Sequence, residues 1–254
     1  IKALIGPHAG FDYSGPTAAW GYRYLSSRKD LKVFLLGPCH HVYLKSCGIT
    51  SLKVYRTPLG DIDIDQELVS ELKSTGFFTE TTKRVEEEEH SLEMHLPYIL
   101  KLLKGTSFKL VPIMVGNLDA KAEENYGALL AKYFDREDTV FIVSSDFCHW
   151  GAGIDFMYYR KEDGEIYQSI EKLDRDGMKL IEEHDFKGYT EYLEKTENTI
   201  CGRHPIGVLI NIILKSAHRD KIKTKFTQYA QSDRVKCKKG TSVSYASAVS
   251  FIIS

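Results

Sequence analysis

The chain of 254 residues lacks the signals of a membrane protein and of a nucleic-acid-binding protein. No apolar run approaches the roughly 18 residues that a membrane-spanning helix needs, and no positively charged leader precedes an apolar stretch. Neither sign of charge dominates, because 34 Lys and Arg residues balance 35 Asp and Glu residues. We therefore expect a soluble protein with no membrane span and no nucleic-acid partner.

Several short motifs of catalysis and nucleotide binding are absent as well. The chain contains no G-x-S-x-G, no P-loop and no G-x-G-x-x-G, so esterase, NTPase and dinucleotide-binding functions lack support. His90 and His95 are five positions apart, whereas the helical metalloprotease motifs place two histidines four apart on one face. The five cysteines are odd in number and irregularly spaced, which favours reduced thiols in the cytoplasm over a disulfide framework.

Three apolar runs, in contrast, all end in side chains that can bind metal. The runs are ALIGPHAG (residues 3–10), VFLLGPCHH (residues 33–41) and VFIVSSDFCHWG (residues 140–151). Each run predicts a buried strand that is broken by Gly-Pro or Ser-Ser before its polar residues. In open α/β sheets, ligands bind beyond the carboxyl ends of the parallel strands. We therefore predict that the polar residues at these strand ends converge on one crevice: His8, His40, His41, Asp146 and His149.

Helical periodicity and turn residues fill in the rest of the fold. Helices are predicted over residues 11–27, 66–74, 86–104, 163–183, 186–194 and 205–214, and one further helix follows residue 116 with the apolar members Tyr126, Leu129, Leu130 and Tyr133. Further strands are predicted within residues 47–64, over 108–116, and as a hairpin of 226–230 with 242–253. Because 43% of the residues are hydrophobic, a sizeable core is available. The predicted fold class is α/β, a single domain over residues 1–254 with a mixed sheet flanked by helices.

The strand-end histidines predict a mononuclear metal site. A neutral imidazole is the commonest side-chain metal ligand, and such a site needs two or three donors plus an open position. The third donor is left open by the spacing. Asp146 would complete the two-His-one-carboxylate triad of non-haem iron, whereas Cys201 would favour iron, copper or zinc. Cys201 precedes a predicted helix and lies near Arg203, so we expect its thiolate form to be favoured.

The sequence allows two roles for His90 and Glu93. They are three positions apart in a predicted helix, so their side chains can share a face. One interpretation is a proton-transfer pair that lines the pocket. The other is an ordinary solvated helix start.

Seven ordered motifs resemble those of the Memo family, and together they cover nearly the whole chain. They are GPHAGFDYSGPTAA, LGPCHH, YRTPLGDIDID, EHSLEMHLPY, VSSDFCHWG, GEIYQSIEKLD and NTICGRHPIG. The family normally carries a leading segment with a histidine and an aromatic-rich turn before the first strand. That segment is not in this sequence, so we expect the natural chain to begin before Ile1.

The resemblance implies a fold similar to that of the class III extradiol ring-cleaving dioxygenases and a mononuclear iron or copper ion. It implies that His8, His40 and Cys201 hold the ion, and that His149 takes the place of the dioxygenases' acid–base histidine. We expect Asp146 to lie with His149 beside the position where oxygen or substrate binds. The dioxygenases use a carboxylate where this sequence has Cys201, so ring cleavage is the less favoured activity. We expect further pocket residues at His41, His90, Glu93, Arg203 and His204.

The resemblance also implies a choice of functions. Memo proteins in animals are linked to cell motility downstream of receptor tyrosine kinases, to phosphotyrosine-peptide binding and to iron- or copper-dependent redox activity. We therefore expect a cytoplasmic, or alternatively nuclear, metal-binding redox protein that acts on oxygen or on an unidentified small molecule. The alternative is a phosphotyrosine-peptide adaptor without catalysis, in which Arg203 binds the phosphate and Phe11, Tyr13 and Trp150 line the groove. A third function is cleavage of a catechol-like ring with His149 as the base.

Overall fold

The computed structural model describes residues 1–253, which form eleven strands and nine α-helices. The strands are β1 (Ala3–Gly6), β2 (Leu31–Pro38), β3 (Cys47–Ile49), β4 (Val54–Thr57), β5 (Gly60–Asp63), β6 (Phe78–Glu80), β7 (Phe108–Val115), β8 (Thr139–Ser144), β9 (His149–Trp150), β10 (Ile222–Gln231) and β11 (Ser242–Ile252). The helices are α1 (Phe11–Tyr22), α2 (Gln66–Ser74), α3 (Lys83–Glu88), α4 (His90–Glu93), α5 (Leu96–Leu103), α6 (Ala120–Phe134), α7 (Ile166–Glu182), α8 (Phe186–Thr196) and α9 (Arg203–Lys215).

A mixed sheet forms the centre of the molecule. Its strand order is β10-β11-β1-β8-β2-β7-β3-β6, with β9 paired to β11, while β4 and β5 form a separate hairpin. The four neighbouring strands β1, β8, β2 and β7 run parallel, whereas β11 and β3 are antiparallel to β1 and β7. The predicted α/β fold, a single domain with a mixed sheet flanked by helices, is confirmed.

The parallel centre of the sheet is covered on both faces. Val33, Phe34, Leu35 and Leu36 of β2 are all fully buried, although successive side chains of a strand point to opposite faces. Covered parallel strands require continuous apolar runs, which is why these segments were recognisable in the sequence. Because β8 lies between β1 and β2, the carboxyl ends of these three strands are adjacent.

The predicted helix over residues 86–104 is three shorter helices, α3, α4 and α5. Glu89 has an extended backbone (φ −88°, ψ 115°), and its carboxylate accepts the N–H of Ser91, so it ends α3 and caps α4. Pro97 lies in the first turn of α5, which is one of the two positions predicted for it. Two smaller differences are that α1 ends at Tyr22 and that the short strand β6 has no counterpart among the predicted strands.

Other local predictions are confirmed. Asp65 caps α2, because its carboxylate accepts the N–H of Leu68 at 3.0 Å, and β10 pairs with β11 as an antiparallel hairpin. Within residues 1–253, none of the helices combines the length and the apolar character that crossing a membrane requires.

Candidate metal centre

The residues that follow β1 and β2 meet the loop before α9 at the carboxyl edge of the sheet. His8 follows β1, His40 follows β2, and Cys201 precedes α9. One ligand atom from each of these three residues lies within 4.8 Å of the other two. His8 is only 2% exposed, and its ring centroid is 5.3 Å from that of His40. The fold therefore brings together three donors from distant parts of the chain.

The hydrogen bonds of His8 determine which ring nitrogen can bind metal. Nδ1 lies 2.6 Å from Oγ of Ser144, and the Ser144 hydroxyl donates its proton to the carbonyl of Ser91 at 2.7 Å. Because that proton is already used, Nδ1 of His8 is assigned as the donor to Ser144, and the lone pair is on Nε2. Burial, together with the nearby His95, lowers the pKa of His8 well below its usual value, so the ring is neutral.

Glu89 orients the second imidazole. Its carboxylate accepts hydrogen bonds from Nδ1 of His40 at 2.8 Å, from the backbone N–H of His40 at 2.5 Å and from the backbone N–H of Ser91 at 2.9 Å. Burial alone would raise the pKa of Glu89, but these hydrogen bonds outweigh burial and lower the pKa to about 2. The carboxylate is therefore ionised, and His40 keeps the lone pair of Nε2 for a metal ion. A ligand histidine held by a carboxylate in this way is a common feature of metal sites.

Cys201 supplies the soft donor. Its Sγ lies 3.3 Å from Nε2 of His8, and the backbone N–H of Asp146 donates to it at 3.2 Å. Metal bonds of about 2.0 Å to nitrogen and about 2.3 Å to sulfur place two donors on one tetrahedral ion roughly 3.5 Å apart. The observed separation therefore fits a shared ion.

The thiol of Cys201 is not pre-ionised, contrary to the expectation from Arg203 and the helix dipole. Burial, reinforced by the carboxylate of Asp146, raises the pKa of the Cys201 thiol. A cation at this point would have to displace the thiol proton, so metal affinity should rise with pH.

Asp146 and His149 lie beside the position that His8, His40 and Cys201 surround. One ligand atom from each of Asp146, His149 and Cys201 lies within 4.8 Å of the other two. Oδ1 of Asp146 accepts the backbone N–H of His8 at 2.9 Å, and Oδ2 lies 3.9 Å from Nε2 of His8. Nδ1 of His149 donates to the carbonyl of Thr199 at 3.0 Å. Because a carbonyl can only accept, the lone pair of His149 is also on Nε2.

The donor set is compatible with iron, copper or zinc. Two imidazoles with one thiolate are typical of copper sites, and imidazole with carboxylate suits iron. His8, His40 and Cys201 provide the first set, and Asp146 adds the carboxylate beside it. Both of the third donors left open by the sequence therefore lie at the centre.

The remaining predicted pocket residues divide between the centre and its surroundings. The ring of His90 stacks on His40 with centroids 4.6 Å apart, and the ring of His41 lies 6.1 Å from that of His90. Glu93 instead lines a separate cavity of about 630 Å³ beside β4. The structure therefore separates Glu93 from His90, although both belong to α4.

Arg203 and His204 begin α9. Nδ1 of His204 lies 2.6 Å from Oε1 of Glu123 in α6. Burial raises the pKa of Glu123 despite this hydrogen bond and the charge of Arg203. Neither Arg203 nor His204 belongs to a group of metal donors within the described part of the chain.

The aromatic groove expected from the sequence is only partly present. Phe11 and Tyr13 are exposed at the start of α1. Trp150 is only 1% exposed, and its indole N–H donates to the carbonyl of Tyr158 at 2.9 Å. The expectation that Trp150 lines a groove is therefore wrong, because its ring is packed into the core.

Two buried residues beside the centre, Glu89 and His95, are not among the residues predicted from the sequence. Glu89 is the last of four consecutive glutamates, and its one signal is its position directly before the apolar helices. His95 is fully buried; its Nδ1 lies 2.5 Å from the hydroxyl of Tyr22, and its Nε2 has no partner within residues 1–253. A Cβ at Gly6 would lie only 3.3 Å from Cε1 of His95, so β1 and this ring pack closely.

Acidification should destabilise the folded protein because His95 is buried in its neutral form. Burial lowers the pKa of His95 to about 3, from a usual value of 6.5. Between these values the unfolded chain binds a proton that the folded chain does not. The stability contributed by neutral His95 is therefore complete above pH 6.5 and is lost as the pH falls towards 3, by up to about 1.4 kcal/mol per pH unit.

Urea unfolding across this pH range tests the effect, with the His95→Gln variant for comparison. The glutamine can still bond the Tyr22 hydroxyl but does not titrate, so the pH slope of the unfolding free energy should fall by about 1.4 kcal/mol per pH unit. An identical slope in both proteins would show that His95 is not the titrating group.

Known proteins resemble the chain over nearly all of its length. The sequence model of a protein family described as "Memo-like protein" matches residues 1–249 of this chain. "Protein MEMO1" of Mus musculus is 44% identical over 248 residues, covering 96% of this chain and 84% of that protein. "Protein MEMO1" of Danio rerio is 45% identical over 249 residues with the same coverage of both chains. "Protein memo-1 homolog" of Caenorhabditis elegans is 40% identical, covering 99% of this chain and 73% of that protein.

A solved structure shares the fold. The crystal structure of the uncharacterized protein JW3007 from Escherichia coli K12 aligns with a TM-score of 0.58 and 11% sequence identity. The alignment covers 96% of this chain and 98% of that one. At this low identity the likeness concerns the fold alone.

Proposed function

Because the chain belongs to the Memo-like protein family, we propose that it is a redox protein with one iron or copper ion held by His8, His40 and Cys201. One observation supports this proposal above the others: the donor atoms of these residues lie within 4.8 Å of one another. The hydrogen bonds with Ser144 and Glu89 use Nδ1 of His8 and of His40, so the lone pair of each Nε2 is directed away from these two partners and can bind a metal ion.

The bound ion would supply one-electron chemistry with oxygen or with a small molecule. Side chains of the protein would transfer the protons. His149 is oriented by the Thr199 carbonyl, so that its Nε2 can accept a proton from a molecule at the centre and return it. The carboxylate of Asp146 lies beside it and would stabilise positive charge on the His149 ring.

We also propose a compartment and a cellular role for this redox activity. All five cysteines are free thiols, which supports a reducing compartment such as the cytoplasm. The family resemblance supports a role in cell motility downstream of receptor tyrosine kinases, through the redox activity or through a partner protein.

A phosphotyrosine-peptide adaptor is the second candidate. The exposed rings of Phe11 and Tyr13 lie just after the His8 turn and offer an aromatic surface near the centre. Arg203 would pair the phosphate. Such an adaptor should bind a labelled phosphotyrosine peptide equally well with or without intact metal donors. Ring cleavage is a weaker candidate, and oxygen uptake with a panel of catechols under reducing conditions would test it.

Metal analysis separates these functions. Protein purified without added metal should contain about one iron or copper ion per chain, as expected for a mononuclear site. His40→Ala should lose that ion, because it removes one of three donors. A chain that carries no stoichiometric metal, and whose peptide affinity survives His40→Ala, would instead be the adaptor.

A further inference from the structure

Two more histidines lie in front of the buried centre. The ring centroid of His90 is 4.6 Å from that of His40 and 5.4 Å from that of His8. The ring centroid of His41 is 6.1 Å from that of His90. Two imidazoles that share one ion through bonds of about 2 Å have ring centres roughly 4.5 to 5.5 Å apart. The separation between His40 and His90 lies in this range, whereas His41 is farther out and belongs to none of the donor groups among the described residues.

The imidazoles become steadily more buried towards the centre. His41 is exposed, and the side chains of His90, His40 and His8 are 47%, 28% and 2% exposed. An ion that reaches the nearly inaccessible Nε2 of His8 must lose its water on the way. Losing water without replacement donors is very unfavourable, whereas exchanging one donor for another is not.

The outer histidines are free to bind. Within residues 1–253, the rings of His41 and His90 make no hydrogen bond, and Nδ1 of His90 lies 3.7 Å from Oε1 of Glu89. One ligand atom from each of His40, Glu89 and His90 lies within 4.8 Å of the other two. This second donor group shares His40 with the inner one. It differs from the inner group in having no sulfur and in including His90, whose side chain is 47% exposed, although Glu89 itself is only 1% exposed.

We propose that His90 and Glu89 form an outer ion-binding position that captures a metal ion and hands it to the inner centre through the shared His40, with the exposed His41 at its approach. This inference rests on the proposed metal-binding function and adds a route to it. The outer position holds the ion weakly, since it offers no thiolate. His8 and Cys201 then complete a tighter set of donors.

Stopped-flow loading of metal-free protein with Co(II) tests the outer position. The bond from cobalt to the Cys201 sulfur gives a near-ultraviolet charge-transfer band, so the inner centre is observed directly. In the His41→Ala/His90→Ala variant the rate of band formation should fall by about tenfold, which corresponds to a loss of about 1.4 kcal/mol of interaction with the incoming ion. The final band intensity should stay the same. His218→Ala, which removes an exposed histidine elsewhere, should load at the wild-type rate.

The outcomes distinguish this inference from the proposed function. Wild-type loading in the double variant would overturn the outer position while leaving the inner centre intact. A weaker final band, in a variant that unfolds at the wild-type temperature, would also overturn it, because the outer histidines would then belong to the inner centre. A wild-type protein that forms no band at all would instead refute the metal-binding function itself.

Discussion

Replacing Cys201 by serine should lower the affinity of the protein for Cu(I) by more than a hundredfold. Structural sites with four protein ligands bind metal with roughly 10 to 16 kcal/mol, or about 3 kcal/mol per ligand, and about 1.4 kcal/mol is a tenfold change. The serine hydroxyl stays protonated and is a hard donor that suits copper poorly. Competition titration against a Cu(I) chelator measures the change.

Cys237→Ser is the matched control, because Cys237 is an exposed free thiol outside the donor groups. It should leave the affinity unchanged. The wild-type protein should also release about one proton per ion bound, since burial keeps the Cys201 thiol protonated in the absence of metal. Equal affinities for both serine variants would show that Cys201 is not a ligand.

Replacing Glu89 by glutamine should weaken metal binding by roughly 10- to 100-fold, the usual cost of losing a carboxylate that orients a ligand histidine. Glu89 accepts three N–H groups, two from His40 and one from Ser91. The amide of glutamine offers one acceptor oxygen and places an NH₂ group against at least one of these donors. The imidazole of His40 would lose both its fixed orientation and the carboxylate that increases its basicity.

Glu93→Gln provides the control for Glu89→Gln. The same chemical change is made four residues along the chain, at an exposed carboxylate that lines the cavity beside β4. Isothermal titration with Fe(II) under anaerobic conditions should give the wild-type affinity for Glu93→Gln. If Glu89→Gln also bound like the wild type, Glu89 would not support the ligand His40.

Much of the centre was predictable because covered parallel strands leave a strong pattern. The apolar runs that end in His8, His40 and Asp146 predicted three adjacent strand ends, and the sheet order confirms that they are neighbours. Periodicity and strand-end position carry this information without any knowledge of distant contacts.

The choice of third donor was not predictable from spacing. Cys201 is 161 residues beyond His40 in the chain, and only the docking of α9 brings its sulfur within 3.3 Å of His8. The state of its thiol was also misjudged, because the local sequence shows Arg203 and a helix start but not the burial that raises the pKa.

Glu89 shows a further limit of sequence patterns. Four consecutive glutamates favour a continued, solvated helix, and three of them do lie in α3. The fourth, Glu89, lies beyond the end of the helix, and its buried carboxylate accepts hydrogen bonds from the backbone N–H groups of His40 and Ser91. These tertiary hydrogen bonds override helix propensity, and the position of Glu89 before the apolar helices is the one local signal that distinguishes it from its neighbours.

X-ray absorption at the metal edge of the loaded protein tests the central claim most directly. The account predicts one sulfur neighbour at about 2.3 Å together with imidazole nitrogens at about 2.0 Å, and loss of the sulfur shell in Cys201→Ser. A spectrum with only nitrogen and oxygen neighbours in the wild-type protein would contradict it.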